Sequence, residues 1–433
     1  MIPTVDQVVS DVEKLTADRP EVCRTRRIGT SRLGEPLRML SVGHGRRNAL
    51  VVGCPHPNEP IGLHTVLDLA KRVAATPELR EGMDFSWHFV PCIDPDGTRL
   101  NEGWFDGPLT IRNYHENFYR PAFDDQPEWT FPVLDERAFF DRTLPETQAL
   151  ARVIDELRPT FQYSLHNADF GGVFFILNGG LPGMAEDLGT VAAEQRVPLS
   201  LGPVDTLGWE TAAPAVYLMP PAETVIQEAA RGTRDSVRHG GSSAHYAERY
   251  GTTTLITEVP MWHDARADDL SDSGRSYADT LRHAAAELRD DSAVLSDLYE
   301  QMRPRLVVPT PMRRSITDTL ATASSAAAAN DAMAERTPAR PATVAEAFAT
   351  STLVHMLRLR ASGMMRRQLA VEHAAGNQPP TSRKVKRHLD GLFDTWCAAA
   401  ETDLSQDAFP VRQLVSVQSE AALAVVRRLA PCG

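Results

Sequence analysis

A chain of 433 residues with 42% hydrophobic and 24% charged residues has the composition of a soluble globular protein, long enough for one large domain plus a smaller one. Its net charge of -12 is unevenly spread, with 28 Lys+Arg against 46 Asp+Glu in residues 1–302 and 17 against 11 in residues 303–433. So acidic a body argues against nucleic acid as a partner, because phosphate binding needs a positive face; the basic second part either docks on the acidic first or presents a solvated surface.

The opening residues, MIPTVDQVVSDVEKL, lack the basic start and apolar stretch of a signal peptide, and no run approaches the roughly 18 apolar residues of a membrane helix. The expected location is the cytoplasm. Cys23, Cys54, Cys92, Cys397 and Cys432 are odd in number, widely spaced and without a CxxC pair, which fits a reducing compartment and argues against a disulfide framework.

Up to about residue 300 short apolar runs alternate with helical stretches, as in an α/β domain. Strands are predicted at Leu37–Val42, Ala49–Val52, Phe85–Cys92, Phe161–Leu165, Val173–Leu177 and Thr252–Val259, and helices at 5–17, 61–74, 145–157 and 276–302. The segment 94–144 is dense in Asp, Pro and aromatics, too aromatic for a disordered linker, and reads as an ordered loop region over a site. After RPRLVVPTP (303–311) the strand signals vanish and Ala, Arg and Leu dominate. Thr343 and Glu346 form a capping-box pattern opening a helix through about His373; GNQPPTS (376–382) breaks it, and helices fit 382–400 and 408–430. The alanine-rich 321–341 stretch fits helix or linker. The expected architecture is a mixed twisted sheet with helices on both faces over residues 1–302, followed by an all-α extension over 303–433.

VVGCPHPNEPIG (51–62) places His56 and Glu59 three positions apart in a loop between a strand and a helix, at the strand end where open α/β sheets build their sites. Alone, such an HxxE pair more often marks a polar turn than a metal site. His166 closes a second strand in FQYSLHNADFGG, where a lone histidine is usually a half-buried structural side chain. Glu258 interrupts the apolar strand TTTLITEVPMW, and a carboxylate there costs several kcal/mol unless it is paired or functional. A hydrolytic zinc site needs three protein ligands and a further carboxylate to take and return a proton, and these four residues can supply them.

The ordered set HPNEPIG, DPDG (94–97), SLHN (164–167) and TEVP (257–260) resembles the zinc metallocarboxypeptidases of the M14 family, in a bacterial form with a helical C-terminal extension. The resemblance runs over roughly residues 1–300. It implies one zinc per chain held by His56, Glu59 and His166, Glu258 as general base, and an arginine assisting the oxyanion, for which Arg112 is the candidate. The family's carboxylate-gripping Asn-Arg pair has a reversed counterpart in TIRNYHENFYRP, at Arg112 and Asn113, with Arg120 nearby. GGSS (240–243) matches a stretch lining the family's specificity pocket and puts Ser243 at its floor, implying a small or polar terminal group. The tyrosine that many members carry falls on Ser236 here, leaving Tyr246 or a loop tyrosine to replace it.

The expectation is a hydrolase cleaving a C-terminal amide bond of a peptide or a small amidated metabolite. The alternatives are an acyl-amino acid deacylase resembling aspartoacylase and, from another class, a catalytically dead binding scaffold. The extension is expected to cap the active-site mouth or mediate homo-oligomerisation. His64, His88, His115 and Cys54 fit ordinary packing or surface roles, and GMMRR (363–367) fits helix packing or a partner surface.

Overall fold

The computed structural model describes residues 2–202, 206, 209–230 and 240–430; Ser236 and Cys432 lie outside the described residues. Thr4 caps helix α1 (Val5–Asp18) in a reciprocal box with Gln7, and Val5, Val8 and Val12 turn its apolar stripe inward. Strands β1 (Cys23–Thr30), β2 (Pro36–Val42) and β3 (Arg47–Val52) lead to helix α2 (Ile61–Ala75) and strand β4 (Phe85–Val90). The aromatic-rich segment is ordered, as expected, into short helices α3 (Pro95–Arg99) and α4 (Ile111–Glu116) and a hairpin of β5 (Val133–Asp135) and β6 (Ala138–Phe140). Helix α5 (Pro145–Leu157) precedes β7 (Phe161–Gly171) and β8 (Phe174–Leu177). Then come α6 (Met184–Glu194), β9 (Glu210–Ala213), β10 (Val216–Leu218), α7 (Ala222–Ala230), α8 (Ser243–Ala247) and β11 (Thr253–His263).

Nine of these strands make one mixed sheet in the order β1-β2-β4-β3-β7-β11-β8-β10-β9. Its middle, β4, β3, β7 and β11, is parallel. Strand β3 shows why both faces are covered: with a side-chain period of two, Ala49 and Val51 join the core under α2 while Leu50 and Val52 join the cluster under α5. The predicted α/β class with helices on both faces is what the chain adopts. Strand β1, CRTRRIGT, escapes sequence detection because it is an edge strand with a largely solvated side and no apolar run.

The described residues from 303 to 430 are mainly helical: after β12 (Asp272–Ser276) and α9 (Tyr277–Met302) come α10 (Met312–Arg336), α11 (Val344–Ala374), α12 (Pro380–Asp403) and α13 (Val411–Leu429). The Thr343–Glu346 capping box forms, and the alanine-rich stretch is helix. A short strand, β13 (Pro341–Thr343), pairs back with β12. The change at residue 303 is one of element type and not of core. One apolar cluster runs from Ile2 through Val51 and Leu165 to Met364, Phe393 and Val426, so the helical extension packs on the first part of the chain. Met364 and Met365 are fully buried, and a Cβ on Gly363 would overlap the carbonyl of His115, so α4 and α11 touch backbone to backbone at that glycine. GMMRR is therefore packing, and Arg367 donates to the carbonyls of Leu100, Asn117 and Phe118.

The charge asymmetry finds its partners here. Arg314 pairs with Asp124 at 2.6 Å, Arg428 with Asp187 at 2.5 Å and Arg360 with Asp169 at 2.9 Å. The last pair is almost entirely buried, with Asp169 also accepting from Tyr114 at 2.9 Å and Arg360 lying over the ring of Phe118. Among the described residues no helix is long and apolar enough to cross a membrane, and Cys23, Cys54, Cys92 and Cys397 are buried free thiols.

Removing one member of a buried pair leaves the other charge uncompensated. Arg360→Met is expected to destabilise the protein by about 3–5 kcal/mol, as measured by urea denaturation; a loss below about 1 kcal/mol, the range of an exposed pair, would contradict the role given to Arg360.

Candidate metal centre

Beyond β3 the chain turns through Cys54, held at φ 48°, a left-handed conformation that a non-glycine residue adopts at a cost of about 1 kcal/mol or more. The turn throws the loop across the carboxyl ends of the parallel strands. Glu59 N donates to His56 O at 3.1 Å, a single turn that sets both side chains toward the sheet, and Asn167 Oδ1 accepts from Ile61 N at 3.3 Å at the start of α2. Strand β7 delivers His166. Its pairing with β3 ends at Val52 opposite Ser164, so His166 stands just past the end of β3, while on the other side the parallel ladder sets His166 opposite Glu258. The strand is longer than predicted, so His166 lies within it and not at its end.

His56, Glu59 and His166 each offer a ligand atom within 4.8 Å of the others, and all three are buried. Glu59 Oε2 lies 3.1 Å from His166 Nδ1, and Glu258 Oε1 lies 3.6 Å from the same nitrogen. The Nε2 of His166 is taken by Ser164 Oγ at 3.0 Å, leaving Nδ1 for the group. His56 Nδ1 is buried with no hydrogen-bond partner, an orphaned acceptor that a cation would satisfy. Two imidazoles and one carboxylate are the donor set of a hydrolytic zinc site, so the residues fit the ion.

Electrostatics supports the same picture. Burial, helped by Arg120, pushes His56 well below its usual pKa, so it is neutral, as a ligand must be. Burial opposes charge on Glu59, but His56, His166 and Arg120 hold its carboxyl well below the usual range. Burial alone would lower His166, yet its bond to Glu59 and the charge of Glu258 raise it to about 9. Without metal the group therefore holds itself together as an ion pair, with a proton where a cation would sit.

Arg120 reaches the group: Nη1 donates to Glu59 Oε1 at 2.7 Å and to Asn58 Oδ1 at 3.3 Å, with the side chain 26% exposed. Arg112 does not share that arrangement. Its guanidinium is bound by Asp394 at 2.7 Å, lies 3.7 Å from Glu116 and stacks near Phe393 of α12, so the tail engages the residue expected to assist the oxyanion. Asn113 donates through Nδ2 to Pro108 O at 3.0 Å, within its own loop. Ser243 is buried, its hydroxyl lying between Glu128 Oε1 at 2.8 Å and Gln162 Nε2 at 3.0 Å. The hydroxyl of Tyr246 donates to the carboxylate of Asp155. His88 and His115 have structural partners, Ser41 with Asn48 and the Ile111 carbonyl respectively.

Two neighbours of the centre carry no sequence motif. Trp129 stacks on His56 with ring centroids 6.3 Å apart, and Glu128, buried, accepts from both the backbone and hydroxyl of Ser243. Burial raises the Glu128 carboxyl, with His166 and Ser243 opposing the shift. Both residues lie in EWTFP, within the aromatic segment read as an ordered loop over a site; its composition marked the region but not the positions.

Residues 8–169 match the profile of the family described as zinc carboxypeptidase, Peptidase_M14, a segment that holds His56, Glu59 and His166 but ends before Glu258. This bears out the resemblance read from the sequence. No curated protein matches the chain. Among solved structures, the chain is similar to carboxypeptidase A from Helicoverpa armigera, with 13% identity, a TM-score of 0.40, and coverage of 77% of this chain and 73% of that one. It is also similar to a metallo-carboxypeptidase from Burkholderia cenocepacia, with 17% identity, a TM-score of 0.37 and 60% of each chain. Nothing about substrate follows from likenesses at this level.

The proton on His166 has a measurable consequence. A group whose folded pKa is raised contributes stability that is fully present below its unfolded value of 6.5 and is lost as pH rises through about 9. Metal-free protein is therefore expected to lose stability to urea between pH 6.5 and 9, and His166→Gln to flatten that slope. An unchanged slope in the variant would show that His166 is neutral in the metal-free fold.

Proposed function

We propose, taking the zinc carboxypeptidase match over residues 8–169 as premise, that the chain is a zinc-dependent hydrolase that cleaves a C-terminal amide bond of a peptide or a small amidated metabolite. The observation that carries this reading is the convergence of His56, Glu59 and His166 with Glu258 beside them. His56, Glu59 and His166 would hold the zinc. When bound, the ion supplies a Lewis acid that polarises a carbonyl and acidifies water. Glu258 is the carboxylate placed to take a proton from the attacking water as the new C–O bond forms, and to return it to the nitrogen as the C–N bond breaks. Arg120, fixed through Nη1 on Glu59 and Asn58, keeps further guanidinium donors for a substrate carboxylate. Trp129 and the buried loop around it keep bulk water from His56.

Glu128 modifies the expected preference. Ser243 alone implied a small or polar terminal group, but the carboxylate resting on it favours a substrate bearing a cation or a hydrogen-bond donor at that wall.

Wild type is expected to bind about one zinc per chain and to hydrolyse free-acid but not C-terminally amidated peptides, with zinc lost in His166→Ala. Glu258→Gln is expected to keep zinc, measured by elemental analysis, while kcat falls about 10²–10⁴-fold. Zinc binding with equal turnover of amidated substrates would instead support the deacylase. Glu128→Gln is expected to lower kcat/KM for Lys- or Arg-terminated peptides by about tenfold relative to Leu-terminated ones, the size of one lost polar contact; equal losses for both sets would remove Glu128 from specificity.

A further inference from the structure

The helical tail reaches the metal centre from behind. Gln418, in the middle of α13, is fully buried. Its Nε2 donates to the carbonyl of His166 at 2.8 Å and lies 3.4 Å from the carbonyl of Thr257, the residue before Glu258. Its Oε1 accepts from Thr65 Oγ1 at 2.5 Å, on the helix that begins two residues after Glu59. Its backbone carbonyl lies 3.0 Å from the hydroxyl of Tyr163, which is also 2.8 Å from Thr257 Oγ1.

One amide of the tail thus touches the three segments that carry the metal group and the base: α2 behind Glu59, β7 at His166 and β11 beside Glu258. The contact falls where β7 has no β3 partner, beyond Ser164, and is held in the sheet by β11 alone. An amide offers two donors and an acceptor in one plane, which suits it to bridging carbonyls and a hydroxyl that would otherwise be buried unsatisfied. An apolar residue of the same volume would fill the space without the bridge.

We propose that Gln418 is a positioning residue for the metal centre, and that the helical tail is through it a working part of the hydrolase and neither a lid nor a separate module. The proposal rests on the zinc hydrolase reading, and the test separates the two. Gln418→Met keeps the volume and removes the bridge; Ser419→Ala, on the same helix, breaks a bond to Asp68 that does not involve the centre. Zinc affinity by chelator competition, kcat and KM are measured for both, with amide hydrogen exchange of residues 161–171 and 253–263 followed in the metal-free proteins. The expected result for Gln418→Met is a loss of about 10–100-fold in zinc affinity or kcat, the usual effect of removing a partner that orients metal ligands, with KM changed by less than about twofold. Exchange is expected to accelerate in both segments, and Ser419→Ala to match wild type throughout. Should Gln418→Met not fold, Thr65→Val removes the anchor of the amide at constant shape and is expected to weaken zinc in the same direction by about threefold or more, below the full effect of the bridge. Wild-type zinc affinity, kcat and exchange in Gln418→Met, or equal losses in Ser419→Ala, would overturn the proposal. Absence of zinc from wild type would overturn the hydrolase reading, and the exchange comparison would still decide whether Gln418 holds the two strands.

Discussion

The parallel ladder between β7 and β11 is the constraint on which the rest depends. Its register sets His166 directly opposite Glu258, so the third ligand and the carboxylate face one another across neighbouring strands. A slip of one residue in either strand would turn one side chain to the opposite face of the sheet. The register is pinned on the sheet face opposite His166 and Glu258, where Tyr163 and Leu165 of β7 and Leu255 and Val259 of β11 are all fully buried in one apolar cluster. Apolar packing on that face sets the register, and Tyr163 and Gln418 add hydrogen bonds behind the centre.

The buried charges at the centre are tolerable only together. Buried Glu59 and His166 would each be costly alone, and they offset one another with help from the half-buried Glu258 and Arg120. Replacing the His166 proton by a divalent cation would add one positive charge to this group of two cations and two carboxylates. Arg120 lies at the boundary of this group, joined to the ligands on one side and open to solvent on the other.

The tail contributes through the same logic. Arg360 neutralises Asp169, Gln418 bridges the carbonyls behind the centre, and Arg367 caps carbonyls of the aromatic loop. Asp394 engages Arg112, so the tail also decides which arginine is left near the metal group. These contacts span more than 190 positions of sequence, and nothing local in either partner announces them.

The sequence by itself determined the elements whose signal is local: the period-two apolar runs of the central strands, the Thr343–Glu346 capping box, and the HxxE loop between β3 and α2. The ordered set of motifs that resembles the zinc carboxypeptidases also pointed to His56, Glu59 and His166 as candidate ligands, which the fold brings together. It did not determine the roles of Arg112, Asn113 and Ser243, whose side chains are polar and versatile and take whichever partner the fold brings nearest. Only the tertiary structure decided that Arg120 meets Glu59, that Glu128 lies on Ser243 and that the helices after residue 303 share the core. Those outcomes depend on distance in space between segments far apart in the chain, which hydrophobic periodicity and motif spacing do not encode.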